Sequence, residues 1–378
     1  MNGMIRFLLA LALVLLIPTT VFGATEELKE ETYREYLNAY DLSFFEETLG
    51  EDVYSYLQEF GIEDFSFESL SGLSPDQFTE ILLRMIKGNM KEPTEGLLLI
   101  IFYIIVSSLL QSLKNDDTSL GDTYSTVSAL LISTLLAAKV SPVIALCTSA
   151  ISICSDFIYA FVPVFCAIVA ASGGITASFS TNAMLLMLSQ GLAFLSSNVF
   201  MPLINCFLAV GICSSLNADL HLDRLSSSMN KVITTVISFI AGAFVSVLSI
   251  KTTISAKADY LGLRSVRFVI NSVVPVVGSA ISEGLLSIQS YSSLMKSSVG
   301  TVGIIAVSLV FLPSLIETMI WRLMIGVGQI VSDVFHDKSV SLTLKTFKTA
   351  MLLMNVVLVV SMMTTIISIG LLVAARTS

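Results

Sequence analysis

The stretch LGLRSVRFVINSVVPVVGSAISE, residues 261–283, decides how the rest of the chain is read. It opens on Arg264 and Arg267, with Lys251 and Lys257 just upstream, and then runs apolar for about one membrane-spanning length. Asn271, Pro275 and Gly278 sit inside the run, and Glu283 closes it. Basic residues at one end act as a cytoplasmic anchor. Proline and glycine inside an apolar helix are tolerated where neighbouring helices or water satisfy the freed backbone groups. Asn271, Gly278 and Ser282 fall on one face at i, i+7 and i+11. The expectation is a helix that faces protein or a conduit instead of lipid.

Composition supports the same reading. The chain has 378 residues, 54% of them hydrophobic and 13% charged, with a mean hydropathy of +0.85. Soluble domains carry about 25% charged residues, so the chain reads as an all-α polytopic membrane protein. The net charge of −9 is unevenly spread. Residues 24–95 hold 18 acidic and 5 basic side chains, whereas residues 96–378 hold 11 and 14. An acidic head is thus joined to a slightly basic membrane body. No basic stripe of the kind nucleic acid requires is present.

Taken in order, residues 1–23 show a signal-peptide pattern: Arg6, an apolar core from Phe7 to Ile17, and Val21 and Gly23 at −3 and −1. Residues 24–95 read as an acidic, extracytoplasmic helical region. Ser74-Pro75 marks a helix start, and Phe78, Leu82, Met85 and Ile86 share one face of the helix that follows. Residues 96–378 form a multi-span membrane domain. Hydropathy windows place about eight spans near 96–113, 124–138, 142–170, 183–214, 232–250, 266–286, 299–328 and 348–374. FVPVFCAIVA, with Pro163, resembles VVPVVGSAIS, with Pro275; FMPLI, with Pro202, resembles FLPSLI, with Pro313. These pairs make 142–250 and 266–374 candidate inverted repeats of a transporter-like kind.

Ionisable residues within apolar spans are costly and mark candidate functional positions. Asp156 and Glu283 flank the two prolines of the repeat and, with Pro163, Asn271, Pro275 and Gly278, are candidates for a conduit or helix interface. Glu317, Arg322 and Asp333 are candidate intramembrane charges, the first two close enough on one helix to neutralise each other in part. Cys147, Cys154, Cys166, Cys206 and Cys213 all lie in apolar segments and read as small buried hydrophobes. His221 and His336 have no metal-ligand spacing, no phosphate-binding GxxxxGK[ST] occurs, and no Ser/His/Asp set can be assembled. The expectation is no enzyme, no cofactor and no metal. From the residues alone, function stops at pore, secondary transporter or membrane scaffold.

ADYLGLRSVRFVINSVVPVVG, residues 258–278, resembles the signature region of the stage III sporulation protein AE family, and the likeness extends over roughly residues 88–373. The resemblance implies a polytopic protein made in the mother cell of endospore-forming bacteria and placed in the membrane around the engulfed forespore. It further implies work with the other stage III A-operon membrane and ring proteins and with stage II sporulation protein Q. Together these build a secretion-like channel needed for late forespore gene expression. The head would then face the space between the two membranes. A cysteine introduced at Ser55 is expected to react with a membrane-impermeant thiol reagent in intact cells; reaction only after lysis would reverse the topology.

Overall fold

The computed structural model describes residues 44–49, 51–59, 75–112, 118–171, 184, 187–216, 224–244, 246–247 and 278–374. Helix is the regular structure throughout, with no strand among the described residues. The acidic region contributes α1 (Phe44–Leu49), α2 (Glu51–Glu59) and α3 (Pro75–Gly88). Pro75 occupies the first helical position, where its missing N–H costs nothing. Ile81 and Met85 turn inward, while Leu82 and Ile86 pack at the edge of the core. α1 packs on the long helix α5, and α2 and α3 pack on α8. The signal-peptide pattern at 1–23 lies outside the described residues.

The membrane body is built from α4 (Lys91–Ser112), α5 (Thr118–Ala171), α6 (Met201–Leu216), α7 (224–244), α8 (Gly278–Val334) and α9 (Lys338–Ala374). α6 continues a helix over 187–195 through a π-helical turn, Ser196–Phe200. Pro202 explains that turn. It has no N–H to return to the carbonyl four residues back, and its ring would press on that carbonyl. One residue earlier, the Met201 N–H bonds Ser196 O, the i→i−5 bond of a π turn.

Five of the described helices are long and apolar enough to cross a membrane: Lys91–Leu109, Thr126–Ile168, Met187–Leu216, Ser297–Val334 and Lys338–Gly370. The windows 124–138 and 142–170 join into one helix, as does the stretch from Gly278 through 299–328. Pro142 and Pro163 stand on the exposed side of α5, where a proline ring displaces no neighbouring helix. The helix over 224–244 covers much of the window at 232–250; residues 251–277 lie outside the described residues.

α8 and α9 form an antiparallel hairpin, the most extensive packing in the molecule. At its turn His336 adopts φ 59°. Its N–H bonds Asp333 O, and the Asp337 N–H bonds Ser332 O (3.2 and 3.3 Å), the bond pair of a Schellman close. Asp337 then caps α9: its Oδ1 accepts the Val340 N–H at 3.3 Å, and its Oδ2 accepts the Ser107 hydroxyl of α4 at 3.0 Å. α5 lies antiparallel to α8, α6 antiparallel to α9, and α4 parallel to the last third of α8.

Close approach depends on missing side chains. A Cβ on Gly303 would stand 2.7 Å from the Phe161 ring, and one on Gly211 of α6 would run into Thr346 Cγ2 of α9. Gly191, on the same long helix as Gly211, has open space around it. Gly211→Ala is therefore expected to cost about 1–3 kcal/mol by overpacking, seen as a lowered melting temperature in detergent, whereas Gly191→Ala leaves it unchanged or raises it.

Candidate functional site: a polar seam in the bundle

In an apolar environment every hydroxyl needs a partner. Many serines and threonines of the bundle bond the carbonyl four residues back, as Ser308 does to Ile304 and Thr364 to Val360, both at 2.8 Å. Polar contacts between helices are a smaller set, and they gather on α9. Thr318 of α8 donates to Asn355 Oδ1 at 3.0 Å, and the Asn355 amide donates to Met351 O at 3.0 Å. The hydroxyls of Ser361 and Ser196 share a hydrogen bond of 3.2 Å at the π turn. The Cys154 thiol of α5 approaches Thr365 Oγ1 at 3.8 Å. Ser155 donates to Gln190 Oε1 at 2.8 Å, and the Gln190 amide returns to Ser155 O at 3.0 Å. Nearer the hairpin turn, Thr343 donates to Ser215 at 2.7 Å.

Where α5, α8, α9 and the residues 187–195 meet, Cys154, Ser155, Ser361 and Thr365 border a cavity of about 20 Å³, with Ser189 and Phe311 also in its lining. That volume holds about one water molecule, and the hydroxyls around it supply the partners such a water needs.

A charged cluster lies where α4 begins. Lys139 Nζ of α5 stands 3.3 Å from Glu92 Oε2 of α4. The half-buried Glu317 of α8 is close enough to feel the Glu92 charge. Trp321, the single tryptophan of the chain, is sealed against Gly96, where a Cβ would lie 2.7 Å from its ring. Among the described residues its indole N–H meets no partner at full hydrogen-bond geometry, and the Glu317 carboxylate is the group that lies toward it.

The structure distributes the sequence-derived candidates as follows. Asp156 and Pro163 are exposed on the outer face of α5, seven residues apart, and do not line the internal cavity. Glu317 joins the Glu92–Lys139 cluster, and the ion pair found there is Lys139–Glu92, not Glu317–Arg322. Arg322 is half-exposed one residue beyond Trp321. Asp333 sits on the exposed last turn of α8, outside the buried run, and its carboxylate accepts the Ser341 hydroxyl. Asn271 and Pro275 lie outside the described residues; Gly278 is the first residue of α8, and Glu283 follows on its backbone with its side chain outside them. Sequence reasoning passed over Gln190, Asn355 and Lys139. Gln190 and Asn355 were visible as polar side chains inside apolar windows and Lys139 stood between two windows, but none of their partners was visible.

A family model described as stage III sporulation protein AE matches residues 62–376. The chain belongs to the stage III sporulation protein AE family. The curated stage III sporulation protein AE of Bacillus subtilis (strain 168) is 27% identical over 209 residues, which cover 55% of this chain and 52% of that relative. The aligned part thus spans about half the length of the curated relative. No solved structure matches the chain. For this member of the sporulation family the interhelical seam gives a direct test. Thr318→Val keeps the shape and leaves Asn355 Oδ1 without its donor, at an expected cost of about 0.6–2 kcal/mol. Thr364→Val, whose hydroxyl serves only its own helix, is expected to cost less in the same thermal unfolding assay.

Proposed function

We propose that this chain is a membrane component of a secretion-like channel between mother cell and forespore, needed for late forespore gene expression. It sits in the mother-cell-derived membrane with its acidic head in the space between the two membranes. There it works with the other stage III A-operon proteins and stage II sporulation protein Q. In this reading it is not an enzyme and uses no cofactor.

The observation that carries an assembly role over an independent carrier is a set of polar side chains exposed on apolar helices. Passage in this reading runs between subunits, and the bundle supplies a wall. Exposed polar side chains on apolar helices fit that role: Asp156 on α5, and Asn198 and Asn205 on the helix that runs through the π turn. Each is costly against lipid and acceptable against protein or water.

Deleting the gene in its spore-forming host is expected to silence a late forespore-specific reporter while an early forespore reporter stays on. Normal late expression would overturn the channel reading. Purified alone in liposomes, the protein is expected to show no gradient-driven uptake of small solutes; robust uptake would favour a secondary transporter.

A further inference from the structure

Three basic side chains stand inside the apolar runs of the α8–α9 hairpin: Arg322 of α8, and Lys345 and Lys348 of α9. A cation in a membrane-length apolar helix is costly and marks a functional position unless a counter-charge meets it. Among the described residues no carboxylate does so. The ion pairs there are Arg84–Glu80 and Lys139–Glu92, and neither includes these three. Lys345 is exposed, and Arg322 and Lys348 are half-exposed, so all three reach the outer surface.

The hairpin brings them together. Contacts between its two helices fix the register: Ser341 bonds Asp333, the Lys348 side chain lies over Gly326, and Thr318 bonds Asn355. Arg322, Gly326, Gln329 and Asp333 share one face of α8, at i, i+4, i+7 and i+11. Lys338, Ser341, Lys345 and Lys348 share one face of α9, at i, i+3, i+7 and i+10. The Gly326–Lys348 contact sets these two faces side by side. Arg322 is one turn from Gly326, and Lys345 is three residues from Lys348. The three cations therefore lie within about 10 Å along the hairpin axis.

Their groove has a defined shape and one kind of hydrogen-bonding group. The Lys348 side chain crosses Gly326, with its Cε 3.5 Å from where a Cβ would stand, and its ammonium donates to Gln329 Oε1 at 3.2 Å. This bond holds the charge between the helices and leaves two ammonium hydrogens to give. It also occupies the amide oxygen of Gln329, whose NH2 group stays a donor. The groove thus offers a guanidinium, two ammonium groups and an amide, all donors. The acid on this face, Asp333, lies one turn closer to the hairpin's close and already accepts the Ser341 hydroxyl. Exposed Leu323, Val327 and Leu352 flank the groove.

We infer that this groove binds a phosphate-bearing anion. A tetrahedral oxyanion suits it in charge and in hydrogen bonding. The guanidinium forks onto two oxygens, and each ammonium brings a point charge to the rest. Basic pockets between membrane helices take anionic lipid head groups by the same chemistry, so the phosphate is either free or carried by a lipid. The inference does not rest on the channel reading.

Thermal unfolding of the full-length protein tests both sources at neutral pH. In neutral detergent, inorganic phosphate is compared with sodium chloride at the same ionic strength. In nanodiscs free of phosphate, phosphatidylcholine alone is compared with a mixture containing phosphatidylglycerol. A rise of several degrees is expected in at least one comparison. That rise is expected to vanish in the double variant Arg322→Gln, Lys348→Gln and to persist in Lys231→Gln, which removes an exposed lysine of α7. A rise with phosphate alone names a free anion, a rise with phosphatidylglycerol alone names a lipid head group, and a rise in both means that either source fills the groove. No rise in either comparison, a rise that survives in the double variant, or one that is lost equally in Lys231→Gln overturns the site. Should the double variant fail to fold, Lys345→Gln takes its place, because that side chain is exposed; it is expected to reduce the rise at least two-fold, and an unchanged rise overturns the site.

Discussion

The bonds of Asp337 hold the bundle in register. Its N–H closes α8 on Ser332 O, one carboxylate oxygen opens α9 at the Val340 N–H, and the other takes the Ser107 hydroxyl of α4. Three helices are thereby tied at one residue. Because each residue turns a helix by about 100°, a slip of one position in the hairpin would rotate every facing side chain away from its partner. With the turn set, Thr318 meets Asn355, and Gly326 falls beside the Lys348 side chain, which donates to Gln329 at 3.2 Å. Where no water is available, the backbone and side-chain polar groups have only such protein partners.

Packing follows from that register. In lipid there is little hydrophobic drive between helices, so close contact and interhelical hydrogen bonds carry association. α5 offers a ladder of rings, Phe157, Phe161 and Phe165, with centroids 5.2 and 5.1 Å apart. Aromatic neighbours of this kind contribute about 0.5–1.5 kcal/mol beyond their burial. The ladder lies against α8 where Gly300 and Gly303 leave room for it. The same logic holds between α6 and α9, where Gly211 admits Thr346. Aromatic rings and glycines are thus paired across helices that are far apart in sequence.

The polar groups divide into two kinds with different consequences. Hydroxyls that bond only their own helix choose no neighbour. Those that bridge helices, above all the Thr318–Asn355 and Ser196–Ser361 pairs, fix which helix meets which. Exposed polar groups on the outer faces of α5 and of the helix through the π turn belong to surfaces that lipid serves poorly.

The sequence by itself determined that the protein is helical, that its helices suit a membrane, that an acidic region precedes them and that the chain resembles the stage III sporulation protein AE family. It also determined the start of α3 at Pro75 and the presence of costly side chains at Asp156 and Glu317. These properties are local: they follow from hydropathy over a window, from the missing N–H of a proline and from the charge of one residue. The tertiary structure decided what those residues meet. It joined two windows across Pro142 into one helix, turned the constraint of Pro202 into a π turn, put Asp156 outside the bundle and gave Glu317 the neighbours Glu92 and Trp321. The physical reason is that a helix surface repeats every few residues, so partner choice depends on register between distant helices. That register is set at one turn, by Asp337, which no hydropathy window distinguishes from any other loop carboxylate.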